Sequence, residues 1–271
     1  MSKIWVPNRG DIWLPKQIER PEIVQAVMLT MAIAGGGGGA TYNQFALHAD
    51  NGAASTIITN SVGGGPAFVC NGTAAQQTTT KKFGASAVYQ NTAAAEANRV
   101  ESTSTTLTIS GDFTFIFWLK PISITSGGSN CCLFSHGILY TANSWHIFYE
   151  PTWAGGSGDI WFTRSTSGGA ADLIRGNINS NGIDSGGWVI LERVSGTVNL
   201  CAGNTTMITV GSVAYTDTPS GRFSFGACPF IDYTIFLGNE TEMYWDEAGL
   251  KTGGAVYGSY PITAPSSAFT P

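Results

Sequence analysis

The chain has 271 residues, 43% of them apolar and only 11% charged, with 35 glycines and a formal net charge of −5. That length can bury a sizeable core as one domain, and Gly, Thr, Ser and Asn mixed with β-branched and aromatic residues favour strands and turns over helices. An acidic balance without clustered Lys and Arg supplies no field for phosphates, so nucleic acid is excluded as the expected partner.

Residues 1–21 hold Trp5, Pro7, Trp13, Pro15 and Pro21 among polar and charged residues. Proline at that spacing blocks helix and fixes an extended backbone, while the tryptophans with Ile4, Ile12 and Leu14 are costly to leave in water. The segment reads as an extended arm, residues 1–34, that docks on another protein through Trp5, Pro7, Ile12, Trp13 and Leu14; the alternative is that it covers its own domain. The apolar run Ile23–Ala34 lacks a basic start and is too short to span a bilayer, so synthesis in the cytoplasm without a secretory signal or membrane insertion is expected. Gly35–Gly39 is a pentaglycine with little conformational preference, and residues 35–40 are expected to act as a hinge before a body at 41–271.

In the body, Tyr42–Asp50, Phe83–Tyr89 and Arg99–Thr103 are the first strand signals. The strongest follows at Gly111–Pro121, where Phe113, Phe115, Phe117 and Leu119 alternate with Thr114, Ile116, Trp118 and Lys120. Both faces are largely apolar, so this strand needs cover on both sides and belongs at the centre of a sheet. Cys131–Ser135, Trp145–Glu150 and Asp159–Arg164 read as three short strands. Trp188–Val194 and Thr197–Ala202 flank Ser195-Gly196, a two-residue connection suited to a tight hairpin. Phe223–Ala227, Asp232–Leu237 and Met243–Leu250 complete the expected strands, before a proline-punctuated tail at Tyr257–Pro271. The expected fold is all-β, a two-sheet antiparallel β-sandwich of the jelly-roll kind with an extended N-terminal arm.

The five cysteines, Cys70, Cys131, Cys132, Cys201 and Cys228, lack metal spacing. Cys131 and Cys132 would point to opposite faces of a strand, so reduced, half-buried thiols are expected. His48, His136 and His146 occupy strand or turn contexts without a nucleophile elbow and read as structural. Carboxylates spaced on alternate positions of one strand, as a glycosidase needs, do not occur: Asp246 and Glu247, as neighbours in a strand, would face opposite ways. An enzyme is therefore not expected. For ligand binding, Tyr149, Trp153 and Trp161 surround the glycine-rich loop Ala154–Gly158, with Glu150, Asp159 and Arg164 nearby. Aromatic faces stack on sugars while carboxylates and amides take hydroxyls, so Tyr149, Trp153, Asp159, Trp161 and Arg164 are the candidate glycan-binding residues. Packing of the same aromatics in the core is the open alternative.

The order of these pieces resembles the concanavalin A-like, laminin-G-like jelly-roll family, particularly its variants in virion proteins of tailed bacteriophages. The resemblance rests on Phe-Ala-Leu-His-Ala-Asp-Asn-Gly at 45–52, Lys-Phe-Gly-Ala-Ser-Ala-Val-Tyr at 82–89 and the central strand at 111–121. It continues in Gly-Gly-Trp-Val-Ile-Leu-Glu-Arg-Val-Ser-Gly at 186–196 and in Met-Tyr-Trp-Asp-Glu-Ala-Gly-Leu-Lys-Thr-Gly at 243–253, with Phe-Thr-Pro at 269–271. His48 and Ala248-Gly249 depart from the bulkier apolar residues the family pattern favours. The resemblance implies a calcium ion near the opening and closing strands, with Asp50 and Asp246 as candidate ligands; the alternative is that both carboxylates bond loop backbone. It further implies a non-enzymatic virion structural protein, a capsid decoration or tail component, with capsid or tail proteins as partners and a host-surface glycan as target. Exchange of the arm between neighbours would make a homo-oligomer. A free carbohydrate-binding module and a glycan-cleaving enzyme on the same fold are the alternatives.

Overall fold

The computed structural model describes residues 42–91, 98–124, 131–141, 143–166, 169–178, 182–229 and 241–269. The arm, the hinge and the strand expected at Asp232–Leu237 lie outside the described residues. The body is an all-β, two-sheet antiparallel sandwich.

In chain order its principal strands are β1 (Phe45–His48), β2 (Ala87–Asn91), β3 (Val100–Ser102), β4 (Phe113–Ile124), β5 (Cys131–His136), β6 (Ser144–Tyr149) and β7 (Asp159–Thr166). They continue with β8 (Gly169–Asn177), β9 (Gly187–Val194), β10 (Thr197–Gly203), β11 (Thr206–Ala214), β12 (Phe223–Phe225) and β13 (Thr241–Thr252). The first sheet runs Ile262–Thr263, β11, β10, β9, β4, β13, β1 and Thr59–Asn60, with β2 also paired to β13. The second runs β8, β7, β6, β5, β12, β3 and Phe68–Cys70.

The strand at Gly111–Pro121 is central, as its two apolar faces predict, and it extends further, to Ile124. β9 pairs with β4 only as far as Leu119, so Pro121 lies beyond that partner and its missing N–H costs the β9 ladder nothing. On the other side the register with β13 shifts between Glu242 and Met243, next to the proline. Phe113, Phe115, Phe117 and Leu119 enter the core between the sheets, where Phe115 meets Phe134 at 4.1 Å between ring centroids. Phe223 and Trp145 close around the same pair, and Phe225 stacks on Trp245 at 4.4 Å. Ile116 and Trp118 face the opposite way, into a smaller cluster with Tyr42, Trp188, Ile190, Tyr257 and Phe269.

That second cluster exists because the C-terminal segment 253–269 lies across the outer face of the first sheet. Glu192, fully buried on β9, holds the segment in place. One carboxylate oxygen accepts from Thr114 Oγ1 at 2.6 Å and from the Val256 and Tyr257 amides at 2.8 Å. The other accepts from the Gly258 amide at 2.9 Å and the Tyr260 hydroxyl at 2.8 Å.

Ser195-Gly196 makes the expected hairpin, with positive φ at both residues (48° and 80°), the twist that suits a right-handed ribbon. Cys131 and Cys132 point to opposite faces, Cys131 into the main core and Cys132 into a small cluster with Leu139, Phe148, Trp161 and Cys228. Two long strands escaped the sequence reading, β8 and β11, along with several of two or three residues such as Phe68–Cys70. β8 is an edge strand, half-exposed along most of its length, and carries too few apolar residues to show a period. On the side away from β10, β11 meets the two-residue strand Ile262–Thr263 at its first two residues, Thr206 and Met207.

Candidate functional site

Strands β6, β7 and β8 lie side by side at one edge of the second sheet, and the loop Pro151–Gly158 connects β6 to β7. Glu150 follows β6, Asp159 opens β7, and Arg175 and Asn177 end β8, so antiparallel pairing gathers all four at the same end. Arg175 Nε donates to Asp159 Oδ2 at 3.0 Å and its terminal nitrogen donates to Glu150 Oε1 at 3.2 Å. Asn177 donates to Asp159 Oδ1 at 3.1 Å and to the Ser157 carbonyl at 2.5 Å, and Ser157 Oγ donates to Glu150 Oε2 at 2.8 Å. The Arg175 guanidinium also lies 4.7 Å over the Trp161 ring. The Asp159 carboxyl is held below its usual range by Arg175, Asn177 and Ser157, which together outweigh its partial burial. Arg175 remains 45% exposed in this network, so its remaining donors are open to an incoming hydroxyl or carboxylate.

The expected glycan residues do not all converge on this cluster. Asp159 and Trp161 belong to it, and Trp153 lies in the 3-10 turn Thr152–Ala154 of the adjoining loop. Trp161 is buried, one ring face stacked on Phe148 at 5.6 Å and the other under Arg175, so the core-packing alternative describes it better than an open stacking platform. Tyr149 points into the inter-sheet core, with its hydroxyl donating to Asp184 Oδ1 at 2.7 Å. Burial pushes the Tyr149 phenol well above its ordinary range. Arg164 stands five residues along β7 from Asp159, about 17 Å at the usual strand rise, and pairs with Asp217 instead. Arg175 and Asn177 were missed because β8 was missed; Ser157 lies in the recognised glycine-rich loop, but its partner Asn177 is on β8.

A second polar cluster occupies the outer face of the first sheet. The register of β13 on β4 jumps from Trp245 opposite Leu119 to Ala248 opposite Phe117, so Asp246 and Glu247 together stand opposite Trp118. This bulge corrects the expectation that the two carboxylates face opposite ways: both are fully buried, and both meet groups on the outer face. Asp246 Oδ2 accepts from the Lys82 and Phe83 amides at 2.7 and 2.9 Å, which is the loop-bonding alternative for this residue. Asp246 Oδ1 is buried and has no hydrogen-bond partner among the described residues. Burial pushes this carboxyl up to about 7 against those two amides, with Glu247 and Asp50 adding to the rise. Glu247 accepts from the Phe269 amide at 2.9 Å and lies 3.0 Å from His48 Nδ1. Burial works against the His48 imidazolium, but Glu247 more than offsets it and the pKa stands above its ordinary value. Asp50, exposed, accepts from the Ala85 amide at 2.9 Å.

The donor atoms of His48, Asp50 and Glu247 all lie within 4.8 Å of one another. Asp246 stands beside this group and has spent one oxygen on backbone. Calcium needs six or more oxygens and takes imidazole poorly, so this set does not fit the calcium expected at Asp50 and Asp246.

No protein-family model and no curated protein matches this chain. Solved structures do. A structure of botulinum neurotoxin type C, whose cell entry depends upon interaction with two ganglioside molecules, superposes with a TM-score of 0.54 at 12% identity, covering 78% of this chain and 47% of that one. The binding domain of a serotype D/C botulinum neurotoxin gives a TM-score of 0.53 at 12% identity, over 78% and 48% of the two chains. The binding domain of botulinum neurotoxin DC in complex with SialylT gives 0.51 at 12% identity, again over 78% and 48%. The chain spans about half the length of these structures, and at this identity the likeness is one of fold.

Proposed function

We propose that the sandwich is a non-enzymatic glycan-recognition domain. The observation that carries this reading is the Glu150–Asp159–Arg175–Asn177 cluster at the edge of the second sheet, which presents a partly exposed guanidinium with carboxylates and an amide beside the loop that holds Trp153. Paired acceptors and donors on a rigid strand end are what sugar hydroxyls and acidic sugar carboxylates require. The fold likeness to botulinum neurotoxin structures, one of a toxin whose cell entry depends on gangliosides and one of a binding domain in complex with SialylT, supports the same direction. A glycan array with the full chain tests it: wild-type binds a defined acidic or neutral glycan, and Arg175→Ala and Asp159→Asn weaken that binding about tenfold or more. Silence across the array, or binding indifferent to both variants, overturns the assignment.

We further place this domain, residues 41–271, in a bacteriophage virion protein, a capsid decoration or tail component. The arm at 1–34, with Trp5, Pro7, Ile12, Trp13 and Leu14 as its anchors, would hold it to the particle through the hinge at 35–40. The order of sequence motifs and the apolar, proline-fixed arm support this placement. Deleting residues 1–39 should abolish incorporation into particles; unchanged incorporation refutes the anchor. Exchange of arms between copies implies a homo-oligomer, and a monomeric mass at high concentration refutes it.

A further inference from the structure

The cluster on the outer face of the first sheet has no part in the glycan reading, and its groups carry their own chemistry. We infer that His48, Asp50 and Glu247 form a binding site for a divalent cation of the zinc class, which ties the opening strand to the bulge of the closing strand. Imidazole with two carboxylates is a donor set for a borderline first-row cation rather than for calcium. The donor atoms lie within 4.8 Å of one another. Ligand bonds of about 2.0–2.1 Å in a tetrahedral zinc site hold donors roughly 3.3 Å apart, so the closure needed is at most about 1.5 Å. His48 Nδ1 and Glu247 already stand at 3.0 Å. Asp50 is the exposed member and therefore the one free to move.

Two further observations point to a cation. Asp246, fully buried beside these groups, keeps Oδ1 without a partner among the described residues, so an acceptor is available to a water on the metal. The loop that follows Lys81 is shaped to hold the carboxylates: its amides at 82 and 83 fix Asp246, and the amide at 85 fixes Asp50. Gly84 has φ of +60°, and a Cβ there would overlap the Asp50 carboxylate, so only glycine lets the loop close on it. The Phe269 amide on Glu247 extends the site to the C-terminal segment.

The test uses the full chain, stripped with a chelator and titrated with Zn²⁺, Co²⁺ or Ca²⁺. Zinc should raise Tm by about 5 °C or more, calcium should leave it unchanged, and cobalt should give a visible absorption band from a site with nitrogen and oxygen ligands. Asp50→Asn, an exposed change expected to fold as wild type, and His48→Gln should each lose the zinc response and the cobalt band. Gly84→Ala should weaken both while every ligand is retained. No zinc response in wild type overturns the assignment, as does a calcium response alone. Zinc held equally by wild type and Asp50→Asn, the result that thiol capture by cysteines would give, overturns it too.

Discussion

Replacing Glu192 with glutamine keeps the volume of a fully buried side chain and removes half of its capacity to accept. The carboxylate takes five donors: Thr114 Oγ1 and the Val256 and Tyr257 amides on one oxygen, the Gly258 amide and the Tyr260 hydroxyl on the other. Glutamine oriented with its oxygen toward the first three turns its NH₂ toward the last two. The Tyr260 hydroxyl can rotate and accept, but the Gly258 amide cannot, so a donor meets a donor. One orphaned buried N–H costs about 1–3 kcal/mol, and the surviving bonds fall from charge-assisted to neutral strength. Relief of the carboxylate's desolvation offsets part of this, leaving a net loss of about 2–4 kcal/mol. The loss should be concentrated in the strap: amide exchange at Val256, Tyr257 and Gly258 should accelerate well before the β4 and β9 amides respond. Urea denaturation with exchange followed by mass spectrometry measures both. A stability change under about 0.5 kcal/mol with unchanged exchange at these three amides would refute the view that Glu192 anchors the segment.

Phe134→Ala, deep among Phe115, Phe223, Phe225 and Trp145, should cost about 3–5 kcal/mol by urea denaturation; a loss below about 1 kcal/mol would mean the core is not packed as described. His136 is fully buried, stacks on Phe223 at 4.2 Å and bonds the Leu107 carbonyl, and burial lowers its pKa from 6.5 to about 4. The unfolded chain therefore takes the proton first: this contribution is complete above pH 6.5 and is lost as pH falls toward 4, by about 3 kcal/mol in all. His136→Gln should flatten the wild-type pH slope of stability across that window, and coincident slopes would sink the assignment. Cys131, Cys132, Cys201 and Cys228 are buried and Cys70 is half-buried. A maleimide should add to Cys70 at most in the native protein and to all five in denaturant, read by intact mass; rapid native labelling of Cys228 or Cys132 would contradict the packing.

Where a feature depends on near neighbours in sequence, the chain alone determined it. The alternation from Phe113 to Lys120 sends Phe113, Phe115, Phe117 and Leu119 into one apolar cluster and Ile116 and Trp118 into the other, because side chains on a strand change face at every residue whatever the strand pairs with. The Ser195-Gly196 hairpin and the opposed Cys131 and Cys132 follow from the same local geometry. The tertiary structure decided whatever depends on pairing at a distance. A bulge is a mismatch between two strands, so no inspection of β13 by itself could put Asp246 and Glu247 on one face; β4 had to be laid beside it. Glu192 looked like an ordinary strand residue until a segment more than sixty positions later crossed it with three amides. Arg175 and Asn177 were hidden because an edge strand half in water has little hydrophobic period to announce it, and they become part of a site only when β8 lies against β7.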